Sequence, residues 1–479
     1  LAAPPNALSP DMIRLFNQYV SPKTLLLAGL ETILISLSLL CAVRLRFWND
    51  ASGFHSCTGM PRFAWQLLVV VVVFQACFYL NDLYGPSPDS FREDEGLRVG
   101  QSLGAASLLL GLLYCLIPGL LVGHGVFFLN MLLAGGLVFL SRAALDRVWS
   151  ATPAQNIVIL GAGALAAIVA REIGARHDLK WNLLGYIEDS STASGQTHGL
   201  PGLPLVGQWT DLETLALDHR VARIIVALED RRGILPTAAL VKLRVRGVVV
   251  EDAHSAISAL TGRVWLSTVR PSWFVFSDGF YRSPLTGLIK RVIDICCGVL
   301  GFFLSLPIML AVALAVRLDS PGPVLYRQLR VGWKGDTFEI IKFRSMHVDA
   351  ERRNGAQWAT VNDPRITRIG RFLRKFRLDE LPQFVNVIRG DMSFVGPRPE
   401  RPSFVAALRE EIPYYDERHS VRPGLTGWAQ VQYPYGGSVI DAYRKLEYDL
   451  FYLKNMSLLF DCAIIFQTIR IVLAGEHGR

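Results

Sequence analysis

The chain has 479 residues, 51% of them hydrophobic, with a formal net charge of +8 and a mean hydropathy of +0.31. The length allows two or three domains, and the hydropathy argues against a wholly soluble protein. A basic balance suits anionic lipid surfaces, phosphorylated substrates or nucleic acid, and the crowding of apolar residues into membrane-length runs disfavours the last. Six cysteines (Cys41, Cys77, Cys115, Cys296, Cys297 and Cys462) lie in apolar stretches, and Cys57 lies in a polar loop. With no CxxC pair and no His/Cys cluster, neither a disulfide framework nor a zinc site is expected.

Residues 1–150 read as a four-helix transmembrane region. Runs near 24–44, 65–84, 101–122 and 126–145 each supply the roughly 20 apolar residues that a span needs. The first run reads as a retained anchor, since no small-residue cleavage site follows it. Glu31 interrupts it and reads as a snorkelling or interhelically bonded carboxylate. Gly123-His124-Gly125 separates the last two runs and suggests a tight helical hairpin. Arg44, Arg46, Arg62, Arg92 and Arg98 do not decide the topology by count, but the basic region beyond residue 145 argues that the rest of the chain is cytoplasmic.

Residues 151–275 change to alternating strand and helix signals. Strands are expected at 156–160, 185–189, 222–227 and 247–251, giving a doubly wound, Rossmann-like α/β domain. Gly161-Ala-Gly163-Ala-Leu-Ala166 follows the first strand into a helix. Such a turn can bring backbone N–H groups to a pyrophosphate, which makes Gly161 and Gly163 a possible nucleotide-binding turn with Glu188 or Asp189 near the ribose. A structural or regulatory domain with a relic turn is the blander reading, and this short motif favours it.

A fifth apolar run, Val292–Val316, follows and marks residues 285–320. Its middle holds Ser305-Leu306-Pro307. Proline removes one helical hydrogen bond and clashes with the preceding turn, so a break is expected there, with Ser305 able to bond a freed carbonyl. Lys290 and Arg291 precede the run, and Arg317, Arg327 and Arg330 follow it. Basic flanks on both ends suit a re-entrant membrane helix that returns to the face it left. A fifth full span is the alternative, and it would put the following domain outside the cell.

Residues 321–479 are polar and basic and read as an α+β catalytic domain. Val324–Arg330 and Phe338–Met346 read as strands joined by a turn at 331–336. Alternation places Lys342 and Arg344 on one face, where two fixed cations suit a diphosphate; an exposed basic strand is the bland alternative. Arg365–Arg377 carries Ile369, Phe372, Leu373 and Phe376 at helical spacing between cations. It suits either a membrane interface or a solvated helix face. Asp379-Glu380 comes directly after. Ordinary ion pairing is one reading. The other is a carboxylate nucleophile or base, one that can attack phosphorus, with Mg²⁺ held by Asp379 and substrate oxygens. In Gly390–Glu400, Pro397 and Pro399 stiffen the backbone around Arg398, which either meets a substrate or pairs with Glu400. Val421–Val431 reads only as a Gly/Pro-punctuated loop.

Five segments together resemble the bacterial sugar transferase family, the polyprenyl-phosphate hexose-1-phosphate transferases or monotopic phosphoglycosyl transferases. They are Asp319-Ser-Pro-Gly-Pro323, Lys342-Phe-Arg-Ser-Met346, Asp379-Glu-Leu-Pro-Gln383, Val395-Gly-Pro-Arg-Pro399 and Pro423-Gly-Leu-Thr-Gly-Trp-Ala-Gln430. The resemblance covers about 285–479. The four spans and the Rossmann-like domain are similar to the long form of that family, and the tail from Gln432 to Arg479 is similar to its exopolysaccharide branch linked to exosortase systems.

The resemblance implies a bacterial inner-membrane enzyme with a cytoplasmic catalytic domain, Mg²⁺ as cofactor, and a UDP-sugar and undecaprenyl phosphate as substrates. It implies that Asp379 attacks the β-phosphate and releases UMP, that Glu380 completes a dyad, and that Arg398 between Pro397 and Pro399 meets the nucleotide. Lys342, Arg344 and Arg377 are candidate phosphate contacts. One departure is Ser305-Leu306-Pro307, where many members have adjacent Ser-Pro. The bilayer is an expected partner, nucleic acid is not, and the spans and Rossmann-like domain offer surfaces for a homodimer. Two other classes compete: a membrane-anchored nucleotide-sugar dehydratase, whose YxxxK pair is matched only by Tyr19 and Lys23, and a non-enzymatic polysaccharide-assembly scaffold.

Overall fold

The computed structural model describes residues 13–85, 95–188, 202–228, 235–269, 271–277, 279–280, 283–348, 350, 363–434 and 436–474. The chain divides into two compact units, Leu1–Ala256 and Ile257–Arg479. Among the described residues five helices are long and apolar enough to cross a membrane, four in the first unit and one in the second. This is a membrane protein.

The first unit opens with a hairpin of β1 (Ile13–Leu15) and β2 (Gln18–Val20), turned by Phe16 and Asn17, both left-handed at φ 53° and 58°. Two such residues match the twist of a two-residue hairpin. Helices α1 (Pro22–Arg46), α2 (Ala51–Thr58), α3 (Pro61–Leu80), α4 (Glu95–Leu116) and α5 (His124–Ala151) follow. Their boundaries differ from the expected spans in ways the residues explain. Pro118 stops α4 early and sets a short 3-10 turn at Pro118–Leu120, while α5 runs past 145, where Arg147 is a good helix former in water.

Ile35, Phe74, Phe78, Ala106, Leu110 and Val138 fill the core of the bundle. Glu31 is fully buried and interhelically bonded: Arg142 Nε donates to it at 2.6 Å and Arg142 Nη1 reaches Glu95 at 2.9 Å. A carboxylate inside an apolar bundle is tolerable only when so paired.

The remainder of this unit is a five-stranded parallel sheet in the order β5-β4-β3-β6-β7, the centre-outward order of a doubly wound domain. The strands are β3 (Gln155–Leu160), β4 (Trp181–Glu188), β5 (Leu205–Gln208), β6 (Val221–Val226) and β7 (Val249–Asp252). Helices α6 (Ala164–Gly174), α7 (Leu212–Asp218) and α8 (Thr237–Val245) lie between them. The edge strand β5 was not expected, since four residues carry little periodicity. Gly161 has φ 116°, and a Cβ there would lie 2.8 Å from the Ala227 carbonyl. Close packing against the end of β6 therefore accounts for this glycine without a ligand. Gly163 precedes α6 as its N-cap, Glu188 ends β4, and Asp189 lies outside the described residues.

Tyr19 is remote from the Rossmann-like domain in sequence but packs onto it. Arg223 Nη1 on β6 lies 2.9 Å from the Tyr19 hydroxyl, which itself donates to Glu251 on β7. Burial, with Glu251 beside it, pushes the Tyr19 hydroxyl up to about 12. Lys23 pairs with Asp146 instead. A tyrosine working as a base needs a lowered pKa, so this pair lacks the chemistry of a dehydratase.

Helix α9 (Ala253–Thr261) leads into the second unit, which continues with α10 (Pro271–Phe276) and α11 (Pro284–Asp319). Next come the hairpin strands β8 (Leu325–Val331) and β9 (Thr337–Phe343), then α12 (Arg368–Lys375) and α13 (Phe384–Arg389). Strand β10 (Ser393–Val395), α14 (Pro402–Glu411), β11 (Gly424–Thr426), α15 (Trp428–Gln432), α16 (Val439–Asn455) and α17 (Leu458–Ala474) complete it.

Helix α11 stays α-helical through Pro307. Ser305 Oγ donates to the Phe302 carbonyl at 3.2 Å, and not to Phe303, whose amide partner the proline removes. Both ends of α11 are fastened to the same globular unit. At the N-terminal end, Arg291 donates to the Val387 and Ile388 carbonyls at 2.7 and 2.8 Å, and buried Asp294 accepts from Ser393 Oγ and Phe394 N at 2.8 and 2.9 Å. At the C-terminal end, Val312 and Val316 pack with Phe343 and Leu373, and Asp319 accepts from Ile369 N at 3.3 Å. Between these anchors Phe303, Leu304 and Leu310 are 64–70% exposed.

Candidate active site

The site is assembled around a six-residue 3-10 turn, Leu378–Gln383. With three residues per turn, Leu378 and Leu381 share one face. They join the cluster of Val312, Phe343 and Leu373, which leaves Asp379 and Glu380 on the other faces, lining a cavity of about 360 Å³. Arg377 enters the turn in the left-handed region at φ 53°, which ends α12 short of the expected 365–377 span. A non-glycine residue held there stores on the order of 1 kcal/mol of strain. Thr367 sets the other end of α12 by capping Gly370 N at 3.0 Å. Buried Asn386 ties β9 to the dyad element, accepting from Ile341 N at 3.1 Å and donating to the Glu339 carbonyl at 2.7 Å.

The two carboxylates are treated in opposite ways. Glu380 Oε1 accepts from Lys342 Nζ and from Arg398 Nη2, each at 2.7 Å. Burial works against its charge, but Arg398, Lys342 and Arg377 hold it well below the usual carboxylate range. Asp379 is just as buried, and among the described residues nothing donates a hydrogen bond to it. Burial and the neighbouring Glu380 push its carboxyl up. Burial likewise pulls Lys342 and Arg377 down. The result is an uncommitted carboxylate beside a committed one, with its oxygens open to a reacting atom.

The expected phosphate contacts divide. Lys342, Arg377 and Arg398 converge on the dyad. The Arg377 guanidinium donates no hydrogen bond to any described residue and lines the cavity. Arg344 also lines the cavity, but its guanidinium is engaged on the side away from the dyad. Strand β9 ends at Phe343, and the Arg344 guanidinium donates to the Ser320 and Pro321 carbonyls at 2.6 and 2.7 Å, bracing the chain where it leaves α11. Arg398 turns to Glu380, while Glu400 pairs with Arg330 at 3.3 Å.

Sequence reasoning missed several residues. Arg374, one helical turn before Arg377, lines the cavity and acts on the Asp379 charge. Its signal was there, in the repeat of cations every three residues. Gln430, Lys445 and Asp449 also line the cavity, from α15 and α16, but nothing local announces them.

The Pro423–Gly427 loop gains its meaning here. Strand β11 pairs in parallel with β10, and a Cβ on Gly424 would lie 2.1 Å from Gly396 N, while one on Gly427 would lie 2.1 Å from Gly396 O. Backbone meets backbone with no room for side chains, and this holds the Gly396-Pro-Arg-Pro segment in place.

Among the described residues no group of three His, Cys, Asp or Glu side chains could hold a metal. The donor set suits instead a Mg²⁺ that arrives on a diphosphate. Such an ion needs only one or two carboxylates plus substrate oxygens and water, and Asp379 has free oxygens to offer.

Residues 285–475 match the bacterial sugar transferase model, and 81–251 match that of a CoA-binding domain. The chain is 47% identical over 220 residues to the UDP-N-acetylgalactosamine-undecaprenyl-phosphate N-acetylgalactosaminephosphotransferase of Aeromonas hydrophila, covering 46% of this chain and 51% of that one. It is 34% identical over 329 residues to the undecaprenyl-phosphate glucose phosphotransferase of Komagataeibacter xylinus, covering 66% and 59%. It is 42% identical over 196 residues to the exopolysaccharide production protein PSS of Rhizobium leguminosarum bv. phaseoli, covering 40% and 98%. The chain thus spans between half and three fifths of the first two relatives and nearly all of the third.

Proposed function

The chain belongs to the bacterial sugar transferase family, and from that membership we propose that it transfers a hexose-1-phosphate from a UDP-sugar to undecaprenyl phosphate and releases UMP. The observation that carries this reading is the contrast between two adjacent buried carboxylates, Glu380 clamped by Lys342 and Arg398 and Asp379 free.

In the first step an Asp379 oxygen attacks the β-phosphorus. The bond from that phosphorus to the bridging oxygen breaks, UMP leaves with the bridging oxygen, and a sugar-phosphoryl aspartate remains. In the second step a phosphate oxygen of the lipid attacks the same phosphorus and the aspartate carboxylate leaves, giving a lipid diphosphate sugar. One difficult transfer becomes two easier ones. Mg²⁺ bound to the diphosphate, with Asp379 as its protein ligand, would neutralise charge that would otherwise repel the attacking carboxylate. Arg374 and Arg377 supply fixed positive charge at the same place, and Arg398 meets the nucleotide side while Glu380 fixes its direction.

Both ends of α11 are anchored to one globular unit, and that supports a helix that dips into the bilayer and returns. The flanks of a crossing helix would lie on opposite faces of the lipid, where one water-facing unit would not touch both. On the proposed reading the catalytic unit faces the cytosol, where soluble UDP-sugars and the lipid carrier both reach Asp379.

The test is UMP release by the full-length protein across a panel of UDP-sugars with undecaprenyl phosphate and Mg²⁺. One preferred sugar and dependence on Mg²⁺ are expected. Full activity in Asp379→Asn would exclude the covalent step.

A further inference from the structure

The segment from Pro397 to Glu400 is pinned carbonyl by carbonyl. Gly424 N holds the Pro397 oxygen at 2.9 Å, Arg330 holds the Pro399 oxygen at 3.1 Å, and Val331 N holds the Glu400 oxygen at 2.9 Å. The remaining carbonyl belongs to Arg398 itself. It is held at 2.9 Å by Nη2 of Arg418, a residue only 6% exposed. The same Nη2 lies 2.8 Å from Asp449 Oδ2, and Nη1 donates to the Tyr415 hydroxyl at 2.8 Å. Both terminal nitrogens of Arg418 are therefore engaged by protein acceptors.

We propose that Arg418, charge-balanced by Asp449, is a positioning residue that fixes the backbone of Arg398 and so aims its guanidinium at Glu380 and the nucleotide. This rests on the transferase reading and adds to it a residue that acts through another. The backbone amides that hold the Pro397 and Glu400 carbonyls are neutral donors. At Pro399 and Arg398 a guanidinium holds the carbonyl, and Arg418 is the more deeply buried of the two, where a charge-assisted bond is the stronger and more directional device. Asp449 shares its surroundings with Arg418, Lys445 and Glu400. Burial pushes its carboxyl up to about 6, against the pull of Arg418 2.8 Å away.

A purely structural ion pair would change how much protein folds and leave the folded enzyme's substrate affinity alone. The experiment therefore measures KM for the UDP-sugar, kcat and UMP binding in the full chain, with the folded fraction set by size exclusion. The variants are Arg418→Lys, Arg418→Ala and Asp449→Asn. Expected is a KM and UMP Kd raised roughly tenfold in Arg418→Ala, the equivalent of one charge-assisted hydrogen bond, with kcat per folded molecule changed less than about threefold. Arg418→Lys should fall between, and added guanidinium should restore UMP affinity to Arg418→Ala. Asp449→Asn should raise KM in the same sense, since it leaves Arg418 without its counter-charge. Wild-type KM and UMP Kd in the folded variants, or a loss confined to kcat or to the yield of folded protein, would overturn the proposal. A wild-type chain that neither binds nor releases UMP would instead overturn the transferase reading.

Discussion

Asp379→Asn isolates the two consequences of the dyad at the scale of a residue. It keeps the shape and removes the nucleophile, so UMP release should drop by roughly 10³-fold or more. It also removes a buried charge that Glu380 repels. Because the carboxyl is raised in the folded protein, the folded state binds the proton more tightly than the unfolded one. Its ionised form therefore destabilises the fold above the raised pKa, and that cost disappears as pH falls towards the unfolded value. The inactive variant should melt roughly 2–4 °C higher at neutral pH, about 1 kcal/mol in a unit of this size, with the gap closing in acid; scanning calorimetry at two pH values checks both points. Glu380→Gln should do the reverse. It strips Lys342 and Arg398 of their shared partner and should lower stability by about 3 kcal/mol, together with activity, as read by denaturant titration. Both carboxylates and all three convergent cations were named from the sequence, through the resemblance of their separate motifs. Their division into a held and a free carboxylate was not, because it depends on a strand residue and a loop residue that lie far from the turn.

At the scale of elements, α11 and the glycine-backed loop bear the most weight. Cysteines introduced at Leu285 and Leu318, in a background lacking the native ones, should both react with a membrane-impermeant reagent from one side of a sealed vesicle. Labelling from opposite sides would mean a full crossing. In the sequence the apolar run and its basic flanks marked a membrane segment. The folded unit shows both flanks fastened to one body, through Arg291 and Asp294 at one end and Val312, Val316 and Asp319 at the other. Gly424→Ala should be disabling, since its Cβ would sit 2.1 Å from Gly396 N. We expect a stability loss above about 2 kcal/mol and a matching loss of UMP binding. The Pro423–Gly427 motif had no chemical meaning while read as a loop, because its task is to leave room for another loop.

At the scale of the whole molecule, the bacterial sugar transferase match lies at residues 285–475, within the second unit, so the proposed transfer is expected of that unit alone. A chain trimmed to residues 253–479 should release UMP in detergent at a rate within about tenfold of the full protein, assayed with the same donor. A dead but folded fragment would assign the first unit a direct part. The first unit keeps its own integrity through buried pairs, Glu31 with Arg142 in the bundle and Tyr19 with Glu251 and Arg223 at the sheet.

Apolar runs, strand–helix alternation and the order of short motifs were settled by the sequence itself, because burial in lipid and backbone periodicity act on neighbouring residues. The four spans and the parallel sheet follow from such local rules, while the acidic pair was singled out only by the resemblance of its motif. Arg344 as a brace, Tyr19 on the sheet, Arg418 behind Arg398 and the freedom of Asp379 were decided by tertiary structure alone. Each depends on which distant acceptor lies within 3 Å of a charged group, and hydrogen bonds of that reach form only after the chain has folded back on itself.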